Sequence, residues 1–111
     1  MPSFLVVASY TSDGVKGLLK SGGTARADAV RSAVEGLGGT MHSFHYAFGE
    51  DDVFVVVDMP DNTSAAALGL AVAATGLVAI KMTVLVSPAE IDAAAKLQVG
   101  YQPPGKYAES M

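Results

Sequence analysis

Cysteine and tryptophan are absent from this chain of 111 residues, and only 16% of its residues are charged. Without cysteine there is no disulfide, no thiolate metal site and no cysteine nucleophile, which predicts a protein of the reducing cytoplasm. Positive charge is scarce as well, because seven Lys and Arg are outnumbered by eleven Asp and Glu. A nucleic-acid surface needs a basic patch, so we expect no nucleic-acid partner.

A basic leader and a convincing membrane span are also lacking. The first apolar run follows no basic segment, so we expect no secretory signal. Residues 64–80 carry no charge, but Ala, Gly and Thr dominate them and Gly76 marks a boundary. This composition indicates a buried helix followed by a strand, and we expect no membrane partner.

What the chain does have is a hydrophobic fraction of 50%, which is enough for one core. Alternating or β-branched runs predict strands, and apolar spacings of three and four residues predict helices. The strands are expected at residues 3–10, 40–48, 52–58 and 77–87, and the helices at residues 24–37 and 63–75 with a short one after Pro88. This β-α-β-β-α-β order predicts a ferredoxin-like α+β fold with a four-stranded antiparallel sheet.

The end of the chain differs in character from the rest. We expect residues 1–96 to form the domain and residues 97–111 to form an extended tail, since Pro103 and Pro104 cannot continue a helix. The tail is either a disordered end or an arm that lies on a partner subunit. In the second case Tyr101 and Tyr107 would anchor it.

The predicted sheet has helices on one face only. Large apolar side chains occur on both faces of residues 40–58, so the uncovered face would be a sticky patch. Packing of two sheets in a homodimer is the simplest way to cover it.

Two segments carry a family resemblance: "ASYTSDGV", and "LGGTMHSFHYAFGEDDVFVVVDMPD" followed by an Ala-rich helix. They resemble the GYD-domain family of small bacterial proteins, over residues 3–95. Asp51 stands where that family usually has Tyr, before the final Asp52. The resemblance implies a dimeric α+β barrel, in which two ferredoxin-like protomers pack their sheets face to face. The wider superfamily includes cofactor-free monooxygenases, lactone isomerases, polyketide cyclases and haem enzymes.

A hairpin closed by residues 49–51 would give its bulky side chains one common face. That face would pair Phe48 with Asp52, Tyr46 with Phe54, Phe44 with Val56 and His42 with Asp58. We expect it to be the dimer interface, with the His42 and Asp58 pair at its rim. The pair is either a structural contact or a general base oriented by a carboxylate.

The opposite face would carry smaller side chains and leave room for a ligand. Substrates in the superfamily lie between sheet and helices, so the resemblance implies that His45 lies in this pocket. His45 would be an acid or base there, or else a hydrogen-bonded core histidine. The predicted ligand contacts are Ser43, Val55, Lys81 and Thr83. Lys81 and Thr83 would bind an anionic group, unless Lys81 simply reaches solvent from an edge strand.

Other kinds of site are not indicated. Two histidines three residues apart on a strand point to opposite faces, so we predict no metal site. We predict no cofactor, with a bound haem or flavin left open.

The sequence therefore predicts a dimer that binds a small apolar or anionic metabolite. One form of this function is a cofactor-independent enzyme that uses His45 as acid or base. The alternative is a non-catalytic assembly or partner-binding module, in which higher oligomers bury the surface around residues 65–74.

Overall fold

The computed structural model of the chain describes residues 1–105. Tyr107, one of the two predicted tail anchors, lies outside the described residues. Residues 1–105 contain four strands and four helices. They are β1 (Ser3–Tyr10), α1 (Ser12–Ser21), α2 (Gly23–Gly36), β2 (Thr40–Tyr46), β3 (Val53–Asp58), α3 (Asn62–Ala74), β4 (Val78–Leu85) and α4 (Pro88–Ala95).

The strands form one antiparallel sheet in the order β2-β3-β1-β4. This arrangement confirms the predicted α+β fold and its ferredoxin-like strand order. Within residues 1–105, no helix is long and apolar enough to cross a membrane.

The core lies between one face of the sheet and the helices. On β1, Phe4, Val6 and Ala8 point toward this core, and on β3 the buried residues are Val53, Val55 and Val57. Both sets are spaced by two residues, as one face of a strand requires. From the helices, Val34 of α2 and Leu68 of α3 complete the core.

The helix boundaries follow local signals in the sequence. Asp61 accepts the Ser64 backbone N–H at 2.8 Å and caps the start of α3. Ser87 and Glu90 form a capping box at α4. The helix α1, which is not among the helices predicted above, is ten residues long and is capped by Thr11, which accepts the Gly14 N–H.

The hairpin between β2 and β3 has a different register from the predicted one. The Ala47 N–H donates to the Asp52 carbonyl at 2.8 Å, so the loop contains four residues, 48–51, rather than three. This single extra residue places Tyr46 opposite Val53 and Phe44 opposite Val55. A bulge between Met41 and Ser43 then shifts the register by one more residue and places Met41 opposite Val57.

The predicted faces of β2 are therefore wrong between residues 43 and 46. Phe44 and Tyr46 face the helices, whereas Ser43 and His45 lie on the uncovered face of the sheet beside Phe54 and Val56. A change of one residue in register moves every side chain to the other face.

The prediction that the two histidines point to opposite faces is also wrong. His42 sits in the bulge and reaches Asp58, which is on the uncovered face, as His45 is. A bulge adds one residue to a strand and so breaks the simple alternation of faces.

The last helix projects from the rest of the chain. Every residue from 83 to 105 is exposed, and the chain measures 66 × 28 × 24 Å along its principal axes. A chain of this length that packed all its elements would have a radius of gyration of about 13 Å, but the observed value is 18.7 Å. Helix α4 is thus an arm with apolar side chains in solvent.

Candidate functional site

A cavity of about 80 Å³ lies between the sheet and the helices. Its walls are almost entirely apolar and come from β1, β2, β3, β4, α2 and α3. They include Val6, Ala8, Val30, Phe44, Val53, Val55, Val57, Leu68, Val72, Val78 and Ile80. The side chains of Val6 and Ala8 on β1 and of the three lining valines on β3 are small, which leaves this space open.

Two polar side chains, Tyr10 and Arg26, also line this cavity. Tyr10 is the last residue of β1, and its spacing from Val6 and Ala8 places it on the core side of the sheet. Arg26 lies in the first turns of α2, four residues before Val30, so both face the sheet. The same two residues also line a groove of about 330 Å³ beside α1, which therefore adjoins the cavity.

A second phenol, that of Tyr46, lies beside Tyr10. Tyr46 donates its hydroxyl to the Gly23 carbonyl at 2.9 Å, which ties the end of β2 to the start of α2. A Cβ at Gly23 would lie 3.1 Å from the Tyr46 ring, so glycine permits this close approach. Phe44 packs edge-on against Tyr46, with ring centroids 5.2 Å apart.

The surroundings of Tyr10 keep its phenol neutral. Burial raises the pKa of Tyr10 above its ordinary value of 10.0, and the neighbouring Tyr46 adds to this effect. The charge of Arg26 acts in the opposite direction and that of Asp52 in the same direction. At neutral pH Tyr10 can therefore donate a hydrogen bond or a proton to a group in the cavity.

The arrangement has one apolar compartment and one polar entrance. Because Arg26 presents guanidinium donors and Tyr10 a hydroxyl donor, the entrance favours an acceptor or an anion. An apolar molecule with one polar end fits this division.

Comparison with known proteins assigns the chain to a family. The model of the GYD domain matches residues 4–95, which is most of the chain. The chain belongs to the GYD-domain family. The ferredoxin-like fold of this GYD-domain protein is consistent with the dimeric α+β barrel superfamily. No curated protein matches the chain.

The acidic loop of this GYD-domain protein fastens the hairpin to β1. Asp52 accepts the Tyr10 backbone N–H at 2.8 Å and donates its own N–H to the Ala8 carbonyl. Asp51 accepts the Ser9 hydroxyl at 2.9 Å and lies 3.4 Å from the Lys81 ammonium. Both acids thus hold the end of β1, and with it Tyr10.

A separate polar cluster lies on the uncovered face of the sheet. The Asp58 carboxylate accepts the Ser3 hydroxyl and lies 2.8 Å from Nε2 of His42. These two contacts, with Ser3 the stronger, lower the pKa of Asp58 below its ordinary value of 3.8. The predicted proximity of His42 and Asp58 is therefore observed, and the role of the pair as a general base stays a prediction.

The predicted ligand residues divide between the two faces. Val55 lines the cavity, whereas Ser43, Lys81 and Thr83 lie on the uncovered face. His45 is exposed beside Phe54 on that same face, so the prediction that it lies under the helices is wrong. The cause is the four-residue loop, which turns Phe44 rather than His45 toward the cavity.

Sequence reasoning missed Tyr10, Arg26 and Tyr46. The spacing of Arg26, four residues from Val30 and eight from Val34, follows the buried stripe of the helix. Tyr10 continues the alternation of Phe4, Val6 and Ala8. Both signals are in the sequence, but the position of Tyr46 depends on a loop length that the sequence leaves open.

Proposed function

We propose that this GYD-domain protein binds a small molecule in the cavity between its sheet and helices. The single observation that carries the proposal is an apolar cavity of about 80 Å³ with Tyr10 and Arg26 in its wall. A half-buried guanidinium beside unfilled apolar space is costly unless something pairs with it. Binding of a ligand would satisfy both features.

The proposal includes a homodimer in which two uncovered sheet faces pack together. Leu5 and Val56 are half-buried on this face, and 38% of the Phe54 surface is exposed. These three residues lie on adjacent strands and form an apolar centre. The polar clusters of Asp51 and Asp58 flank it, as the rim of an interface does. We retain a cytoplasmic location, which the lack of cysteine favours.

The ligand proposal can be tested by filling the cavity. Val72 of α3 lines it, so Val72→Phe should place a ring in the space that a ligand would use. Leu70→Phe, on the same helix, is the matched control because 72% of Leu70 is exposed. Binding is measured by ligand-observed NMR against a library of small organic molecules.

We expect ligands that bind the wild type and Leu70→Phe and do not bind Val72→Phe. Ligands that bind all three proteins equally would place the binding site elsewhere and overturn the proposal. A library with no binder at all would overturn it as well.

The dimer proposal predicts that a charge at the centre of the interface between the two sheets separates the subunits. Phe54→Asp should convert the dimer into monomers, because a carboxylate cannot be buried between two apolar sheets without a partner. Leu19→Asp is the control, since Leu19 is 80% exposed on α1, away from the sheet face. Sedimentation velocity gives the mass of each variant, and a Phe54→Asp dimer would contradict the assignment of this face.

Helix α4 favours a second candidate function, that of an assembly or partner-binding module. A helix of eight residues is barely stable alone in water, and Ile91 and Leu97 are mostly exposed. Leu70, within the surface around residues 65–74, is exposed too. This function predicts species larger than a dimer in light scattering, which Ile91→Asp should abolish. If only dimers form, the hypothesis of an assembly module is contradicted.

A further inference from the structure

The polar entrance of the cavity holds a positive charge without a negative partner. Arg26 is half-buried, and within residues 1–105 no carboxylate lies within 4.0 Å of its guanidinium. Its guanidinium also donates no hydrogen bond to any residue of this described range. Five donors of a planar guanidinium are therefore available where the cavity meets the groove.

Asp52, the acid that contacts Tyr10, does not remove this imbalance. One of its oxygens accepts the Tyr10 backbone N–H at 2.8 Å. Arg26 and Asp52 act on the pKa of the Tyr10 phenol in opposite directions, and the influence of Arg26 is the larger of the two. Asp52 forms no ion pair with Arg26.

Helix α2 adds positive character at the same place. It starts at Gly23 with no side-chain cap and has no acid in its first turn, where Arg26 lies instead. Helix N-termini favour anions, and a basic residue there is disfavoured unless an anion is present. This end of α2 borders the cavity through Arg26, which lies in its first turn and lines both the cavity and the groove.

We infer that the cavity takes a small monocarboxylate, with its apolar body between the sheet and α3 and its carboxylate on Arg26 and Tyr10. This inference rests on the proposed ligand-binding function and specifies the class of ligand. The neutral phenol of Tyr10 can donate to one carboxylate oxygen while the guanidinium pairs with the other. A neutral molecule would leave Arg26 unpaired.

The size and charge of the site limit the choice further. A cavity of about 80 Å³ holds an apolar body of only a few carbon atoms unless the helices move. The cationic residue of the cavity lining is Arg26. Its single positive charge neutralises a monoanion such as a carboxylate, but it does not neutralise a phosphate dianion. The adjoining groove of about 330 Å³ can take additional atoms of a longer acid.

The test compares acids with alcohols of the same carbon skeleton. Straight-chain monocarboxylates of about two to eight carbons and the matching primary alcohols are titrated by NMR into wild type, Arg26→Gln and Arg31→Gln at neutral pH. Arg31→Gln is the matched control, because Arg31 is exposed on the same helix and does not line the cavity. Glutamine keeps the length of the side chain and removes its charge.

We expect at least one acid to bind the wild type about tenfold or more tightly than its alcohol. Arg26→Gln should remove this difference in affinity, because it weakens the binding of the acid and not that of the alcohol. Arg31→Gln should retain the difference. Circular dichroism of each variant confirms that the fold is intact.

Two results would overturn the inference and have different meanings. If alcohols bind as tightly as acids, and Arg26→Gln changes neither, the ligand is not an anion although the cavity still binds ligands. If neither series binds, and no molecule of the earlier library does, the cavity itself is not a binding site and the proposed function fails too.

Discussion

The two faces of the sheet are built from the same four strands but from different side chains. The face under the helices carries valines, Ala8 and Phe44 around a cavity, with one arginine and one half-buried phenol in its wall. The uncovered face combines apolar residues with the clusters of Asp51 and Asp58. The first face leaves unfilled space and an arginine that no carboxylate of residues 1–105 pairs with, whereas the second pairs its charges and leaves an apolar centre.

This difference separates the two functions that a small sheet can serve. An enclosed space with a polar entrance suits a small ligand. An apolar centre with paired charges at its rim suits a second protein surface. Substitutions at adjacent positions of one strand therefore distinguish the two faces, because neighbouring side chains point in opposite directions.

The largest expected difference between the faces is in stability. Phe4 on the helix face is 5% exposed, so Phe4→Ala should lower the free energy of unfolding by about 3–5 kcal/mol. Leu5 is the next residue and is half-buried, so Leu5→Ala should lower the free energy of unfolding by less. If a second copy of the chain covers Leu5, this loss of stability should grow with protein concentration. Urea denaturation at two protein concentrations measures both. Equal costs that do not depend on concentration would contradict the assignment of faces.

A smaller change in stability is expected from substitutions in α1, where this helix borders the groove beside the cavity. A Cβ at Gly14 would collide with the Leu77 carbonyl oxygen, so Gly14→Ala should destabilise the protein by about 1–3 kcal/mol and loosen α1. Gly17, one turn later, has open space around it. Gly17→Ala should stabilise the same helix by about 0.5–1 kcal/mol.

Thermal unfolding gives the two stabilities, and hydrogen exchange shows whether the change is confined to α1. If Gly14→Ala were as stable as Gly17→Ala, α1 would not be docked at this point.

The smallest expected effect is the dependence of stability on pH. The contribution of the uncovered face should change at acid pH, and that of the helix face at alkaline pH. Since the pKa of Asp58 is lowered on folding, its stabilising contribution is present above pH 3.8 and is lost as the pH falls through the lower folded value. Since the pKa of Tyr10 is raised, its contribution is present below pH 10.0 and is lost as the pH rises through the higher folded value.

Asp58→Asn should therefore flatten only the acid side of the stability profile, and Tyr10→Phe only the alkaline side. Asp92→Asn, on the exposed helix α4, serves as the control. Urea denaturation across the pH range measures the profiles. An acid side that is unchanged in Asp58→Asn would show that the cluster of Ser3, His42 and Asp58 does not stabilise the fold.

The order of the elements could be predicted from the sequence because it depends on local signals. The alternation of Phe4, Val6 and Ala8, the Asp61 cap and the box of Ser87 with Glu90 each act within a few residues. The strand order then follows from the ferredoxin-like pattern.

The candidate site was harder to predict because it depends on one residue of register. A hairpin loop of three residues and one of four are both compatible with "FGED", and only tertiary contacts select between them. Asp51 and Asp52 bind β1 in a way that requires four. The predicted position of His45 was wrong because it depended on the wrong loop length. Arg26 was missed, although its helical spacing indicates the buried side of α2.

The central claim is that a small molecule occupies the helix-covered face and a second copy of the chain occupies the uncovered one. Valine methyl groups report on both faces in a single NMR spectrum: Val30, Val55 and Val72 at the cavity, and Val7 and Val56 on the uncovered face. We predict that hexanoate shifts the first set and that dilution shifts the second. If hexanoate and dilution perturb the same set, or neither perturbs any of these valines, the account is contradicted.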